Sequence, residues 1–150
     1  MPEKEGKINQ LIGALKQAGL HILSDGSVEG QSIGSSQEPE ILAEEFLSEK
    51  IYLKSVGGLQ DACDLINKYS GGHSAVIVTE DSVDAEYFLN QVDCAAVYHN
   101  VSSRFTDGSQ FGFGAEIAIS TQKLHFRGPL GLGQLVTNKW FVYGEGQVRP

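Results

Sequence analysis

The feature that most limits what this chain can fold into is an alternation of apolar runs and helical spacings between residues 51 and 99. Ala75-Val76-Ile77-Val78-Thr79 is a continuous apolar run of strand length, which suits a strand covered on both faces. Before it, Leu59, Ala62, Ile66 and Tyr69 fall on one helical face, closed by Gly71-Gly72. After it, Asp81 is placed to cap a helix whose Ala85, Phe88, Leu89 and Val92 repeat that spacing. Ile51 to Val56 and Cys94 to His99 supply further strands. Strand, helix, strand, helix, strand at this spacing predicts parallel strands joined by right-handed crossovers. The expected class is therefore α/β, a parallel sheet with covering helices.

The flanks are less regular. Ile8, Leu11, Ile12 and Leu15 follow the i, i+3, i+4, i+7 rule, and Gly19 is a suitable stop. His21-Ile22-Leu23 reads as a short strand ended by Ser24-Asp25-Gly26, and Ser27 to Gln37 as a Ser/Gly-rich loop. Residues 101–135 are rich in glycine and polar residues without a sustained period. A stretch that long inside a compact domain is usually functional or leans on other protein. Trp140 to Tyr143 is predicted as a final strand.

Composition removes several classes of function. With 41% apolar and 20% charged residues the chain is ordinary globular material. A net charge of −8 repels phosphate backbones, so nucleic acid and anionic membrane are poor partners. No apolar run approaches the roughly 20 residues that span a bilayer. The start, Met1-Pro2-Glu3-Lys4-Glu5-Gly6-Lys7, has no signal-type stretch behind it, and the expected location is the cytoplasm. Cys63 and Cys94 make no disulfide framework, and Asp61, Asp64 and Asp93 give them the opposite of an activating electropositive setting. Both read as small core hydrophobes. His21, His73, His99 and His125 are too scattered for a metal-ligand pair, so no metal is expected. Gly112-Phe113-Gly114 lacks the third glycine of a dinucleotide fingerprint because Ile117 stands there, and Gly128 to Gly133 is predicted to shape a turn.

One constellation stands out. Asn100-Val101-Ser102-Ser103-Arg104-Phe105-Thr106-Asp107-Gly108 follows a predicted strand directly and so lies at the carboxyl edge of a parallel sheet, where ligands of open α/β sheets bind. Arg104 suits a carboxylate through paired hydrogen bonds and Asp107 an ammonium, which together describe a small zwitterion. The residues fit equally well a capped loop with an internal Arg104–Asp107 pair.

These residues also carry a resemblance. Val92-Asp93-Cys94-Ala95-Ala96-Val97-Tyr98-His99-Asn100, then Ser103-Arg104-Phe105-Thr106-Asp107-Gly108, resemble the gamma-glutamyl phosphate reductase (glutamate-5-semialdehyde dehydrogenase) family. So do Gln110-Phe111-Gly112-Phe113-Gly114-Ala115-Glu116, Ser120-Thr121-Gln122-Lys123-Leu124-His125-Phe126-Arg127-Gly128-Pro129 and, upstream, Tyr69-Ser70-Gly71-Gly72-His73-Ser74. Leu65, Ala75 and Phe126 depart from the family's pattern.

The resemblance implies the carboxyl-terminal part of an aldehyde-dehydrogenase-like fold across residues 1–150, with the dinucleotide-binding domain and the nucleophilic cysteine upstream and absent. It implies NADPH-dependent reduction of glutamyl 5-phosphate to glutamate 5-semialdehyde in proline biosynthesis, through a covalent thioester. Neither Cys63 nor Cys94 matches the nucleophile's motif, so the chain alone is expected to be inactive. The substrate anchor maps onto Asn100, Ser102, Ser103, Arg104, Thr106 and Asp107, and Glu45 onto the glutamate that holds the nicotinamide ribose. His125 and Arg127 match family positions without an assigned role. Homo-oligomers, or association with the upstream region, are implied as partners. A non-catalytic assembly module built around Trp140 to Tyr143 is the alternative.

Overall fold

The computed structural model describes residues 2–119, 122–123 and 126–149, with side chains from residue 6 onward. His125, and with it Ser120, Thr121 and Leu124 of the resemblance, lie outside the described residues. Helix α1 (Pro2–Gln17) leads into strand β1 (His21–Ser24), followed by β2 (Gln31–Ser32), α2 (Glu38–Ala43) and β3 (Lys50–Leu53). A second unit comprises α3 (Leu59–Tyr69), β4 (Ser74–Ile77), α4 (Ser82–Gln91) and β5 (Ala96–His99). Strands β6 (Ile117–Ile119) and β7 (Gly128–Leu130) complete the order, with 3-10 turns at Ser103–Phe105 and Leu132–Gln134.

The α/β reading holds, with the sheet divided differently. β1 pairs in parallel with both β2 and β3, and β4 pairs in parallel with β5. Among the described residues no ladder joins β3 to β4, so the expected continuous sheet is two parallel sheets. β6 and β7 form a separate antiparallel ribbon. Gly128-Pro129-Leu130, expected in a turn, is the second strand of that ribbon; its Gly128 takes a positive φ of 95° and passes close to Ala95. The loop expected from Ser27 to Gln37 contains β2. Trp140 to Tyr143 form no strand: among the described residues no neighbouring strand offers them a ladder, and the four side chains stand 69–91% exposed.

The core that positions the site lies between α3, α4 and the β4–β5 sheet. Cys63, Phe88, Val92 and Cys94 are buried together, with Leu59, Ile66, Ala75, Ile77 and Val97 packed around them. Residues four apart on a helix share a face, which brings Cys63 in line with Leu59 and Phe88 with Val92. The face of α3 is thus centred on Cys63. Asp81 caps α4 as its type predicts, accepting from the backbone N–H groups of Val83 and Asp84 at 2.8 and 3.2 Å. Successive strand residues point to opposite faces, so Val97 enters this core while Tyr98 faces the other way.

Candidate functional site

The candidate site is the loop that leaves the carboxyl end of β5. Its first residue, Asn100, adopts φ 54°, a left-handed conformation that asparagine tolerates better than most residues. Its side chain answers both backbone polar groups of Thr79, accepting from the Thr79 N–H at 3.1 Å and donating to the Thr79 carbonyl at 2.8 Å. The Asn100 backbone N–H donates to the Ile77 carbonyl at 2.9 Å. Asn100 thereby closes the edge of the β4–β5 sheet and aims the following residues away from it. Ser102 caps the 3-10 turn by accepting from the Arg104 N–H at 3.3 Å.

Arg104 and Asp107 do not pair with each other. Among the described residues the exposed Arg104 guanidinium makes no ion pair. Asp107 Oδ1 accepts from the Ser109 N–H at 2.7 Å and the Gln110 N–H at 3.2 Å, and also from the Ser109 hydroxyl. All three bonds end on that one oxygen, which leaves Oδ2 without a partner among the described residues. The same bonds, the Ser109 hydroxyl first, hold the Asp107 carboxyl below the usual carboxylate range and keep it ionised. The site therefore presents a positive fork and a negative oxygen three positions apart, neither consumed by the loop. Ser103 is exposed beside them, and the Thr106 hydroxyl is engaged with the Tyr98 phenol at 2.6 Å.

The loop is pinned at its far end. The Gly108 N–H donates to Glu116 Oε2 at 2.5 Å, and the Gly108 carbonyl accepts from the Phe113 N–H at 2.7 Å. A Cβ on Gly108 would meet the Ala115 carbonyl oxygen at 2.6 Å. Rings of Tyr98, Phe105, Phe111 and Phe113 follow one another at centroid distances of 6.5, 6.1 and 6.0 Å.

Glu45 lies apart from this loop. It is exposed just beyond the end of α2 and lines a cleft of about 470 Å³ with Glu44, Tyr69, Ser70 and His73. Its carboxylates and hydroxyls are of the kind that could hold a ribose. A carboxylate can accept from two ribose hydroxyls, and the Nδ1 of His73 is enclosed without a hydrogen-bond partner among the described residues. Among the described residues the cleft is lined by no lysine or arginine.

Both cysteines are enclosed, at 1% and 7% exposure for Cys63 and Cys94. Burial, followed by the neighbouring Asp64, pushes the Cys63 thiol up, away from the thiolate. Cys94 Sγ lies 3.6 Å from the Ser70 hydroxyl.

Two clusters were not anticipated from the sequence. Asp93 receives both Lys123 and the Nη2 of Arg127, the latter at 2.8 Å, and ties the β6–β7 ribbon to the turn before β5. Lys123 first, then Arg127, holds the Asp93 carboxyl below its ordinary range. This gives Arg127 a structural task. Lys54 bridges Asp25 and Glu38 at 2.8 and 2.5 Å, and Glu38 also accepts from the Tyr52 phenol at 2.7 Å. No group of three or more potential metal ligands converges among the described residues, and no helix there is long and apolar enough to cross a membrane.

No family model matches the chain. The curated relatives it matches include proteins named gamma-glutamyl phosphate reductase. The protein of Desulforamulus reducens is 60% identical over 108 residues, covering 72% of this chain and 26% of its own. That of Clostridium botulinum is 46% identical over 142 residues, covering 93% of this chain and 34% of its own. The crystal structure of gamma-glutamyl phosphate reductase from Thermotoga maritima superposes with a TM-score of 0.82 at 40% identity, covering 95% of this chain and 35% of that one. The chain thus spans about a quarter to a third of the length of the curated relatives it matches. By sequence and by fold, it is a relative of the gamma-glutamyl phosphate reductases over the part of their length that it spans.

Proposed function

We propose that this chain is the carboxyl-terminal, substrate-anchoring part of an NADPH-dependent reductase of glutamyl 5-phosphate, acting in the cytoplasm in proline biosynthesis. The observation that carries this reading is the uncommitted pair on the loop after β5. Arg104 offers its guanidinium to an α-carboxylate, and the free Oδ2 of Asp107 meets an α-ammonium. Asn100, Ser102 and Thr106 fix the backbone that carries them, and Ser103 adds an exposed hydroxyl. Glu45, with Glu44 and His73 around the same cleft, would hold the nicotinamide ribose. When bound, NADPH supplies the hydride.

Neither enclosed thiol is set up to attack an acyl phosphate, so the anchoring part works with a nucleophile supplied from elsewhere in the reductase. The test is the reverse reaction, phosphate-dependent reduction of NADP by glutamate 5-semialdehyde. The purified chain should show no turnover, while binding L-glutamate through Arg104. Turnover that disappeared in Cys63→Ser or Cys94→Ser would sink this reading.

A second reading, an assembly module without catalytic part, draws on the exposed Trp140, Phe141, Val142 and Tyr143. Such a module would bind a full-length relative, or a second copy of itself, yet leave L-glutamate unbound.

A further inference from the structure

Tyr98 belongs to neither the substrate anchor nor the core, yet it touches the anchor at its most sensitive place. Its phenol oxygen lies 2.6 Å from the Thr106 hydroxyl. Its ring meets that of Phe105 edge-on, with centroids 6.5 Å apart and planes at 77°. Phe105 and Thr106 are the two residues that separate Arg104 from Asp107. A single rigid side chain therefore grips both links of the spacer between the two charged groups. The grip comes from the middle of β5, whose ladder to β4 pairs Tyr98 with Val76. Asn100 secures the intervening chain through Thr79.

We propose that Tyr98 is a positioning residue that sets the separation between Arg104 and Asp107, and so selects ligands whose carboxylate and ammonium share one carbon. This rests on the reading of Arg104 and Asp107 as the anchor. Two charges held at fixed separation favour the zwitterion that spans them and penalise one whose amine is displaced by a carbon. With Tyr98 released, the 3-10 turn at Ser103–Phe105 keeps its Ser102 cap, the Phe105 N–H bond to the Ser102 carbonyl and the edge contact of Phe105 with Phe111, but loses its tie to β5. The charges then adapt to either ligand.

The test uses the full chain, calorimetric titration, and two probes: L-glutamate and 3-aminopentanedioate, its isomer with the amine moved by one carbon. Tyr98→Phe deletes the hydroxyl and keeps the ring. It should weaken L-glutamate roughly five-fold, the range of one lost hydrogen bond, and bring the two ligands closer in affinity. Thr106→Val should do the same, the double variant should add little, and Thr106→Ser should restore the preference. An unchanged preference in Tyr98→Phe, with Arg104→Gln abolishing binding, would overturn the role of Tyr98 and leave the anchor standing. Arg104→Gln without effect, or no binding of L-glutamate by the unmodified chain, would overturn the anchor and the inference with it. Hydrogen exchange separates the structural part: the Phe105 amide should exchange faster in Tyr98→Phe while β4 and β5 amides stay protected. Equal exchange would show that Tyr98 does not hold the loop.

Discussion

At the scale of single residues, the site depends on contacts that allow almost no substitution. Gly108 is enclosed by backbone, with the Ala115 oxygen and the Glu116 Cβ where its own Cβ would stand, at 2.6 and 2.7 Å. Gly108→Ala should cost about 2 kcal/mol, the ordinary penalty for overpacking, read as a lowered urea midpoint with unchanged slope. A midpoint within error of the parent would mean that the 108–116 turn opens freely. The two thiols give a second expectation. Because Cys63 and Cys94 are enclosed and burial pushes Cys63 up, both should react with an aromatic disulfide reagent far more slowly in the native chain than after unfolding. A fast native thiol would reopen a nucleophilic role. The sequence showed these cysteines as core residues, since Cys63 lies beside an apolar helical face and Cys94 opens an apolar strand, while their acidic neighbours argue against a nucleophilic thiolate. It also marked Arg104 and Asp107 as a candidate pair. It did not show that Asp107 spends one oxygen on its own loop and keeps the other, because that division depends on the fold of Ser109 and Gln110.

At the scale of elements, Lys54 acts as a joint. It follows β3, and its ammonium reaches Asp25 beyond β1 and Glu38 at the start of α2. Its hydrogen bonds are the first cause holding both carboxyls below their ordinary range, while the Lys54 ammonium is pushed up. Burial first, then the bond to Glu38, pushes the Tyr52 phenol up to about 12. The signs then follow from linkage. The depressed carboxyls stabilise fully above their unfolded values near pH 4 and lose that contribution as pH falls through the folded ones. The raised groups stabilise fully below about pH 10 and lose it as pH rises through their folded values. Urea midpoints should therefore form a plateau between these limits, and Lys54→Met should flatten the acid limb. An acid limb as steep as the parent's would show that the bridge does not hold these elements together. Helices α3 and α4 were legible beforehand because an apolar face must recur every three or four residues. The Lys54 and Asp93 clusters were not, since they unite residues 16 to 34 positions apart without any local period. Strands of two or three residues, such as β2 and those of the β6–β7 ribbon, carry no period either. β3 and β4 were legible as strands, but not as members of separate sheets, because ladder partners are chosen by contacts far apart in sequence.

At the scale of the whole molecule, the amount of exposed surface decides what surrounds this fold in use. The chain exposes 11,309 Å², whereas a compact monomer of 16.2 kDa exposes about 7,500 Å². Much of the surplus is apolar: Leu132, Val136, Trp140, Phe141, Val142, Tyr143 and Val148 stand 66–91% exposed. Surface of this kind is costly in water and marks a place where other protein belongs. It agrees with a chain matching only 26–34% of its relatives' length. Two measurements on the purified chain follow. The denaturant slope scales with surface newly exposed on unfolding, so it should lie below that of a compact domain of this length. Trp140 is the chain's single tryptophan and is 83% exposed, so its emission should be red-shifted and quenched almost as readily as the free indole. A steep slope with a shielded, blue-shifted Trp140 would mean that residues 136–149 fold back onto the chain. In that case the apolar stretch would be core, and the assembly reading would lose its support. A shallow slope with an open Trp140 would leave that stretch available to other protein, and shielding of the indole on mixing with a full-length relative would then report association.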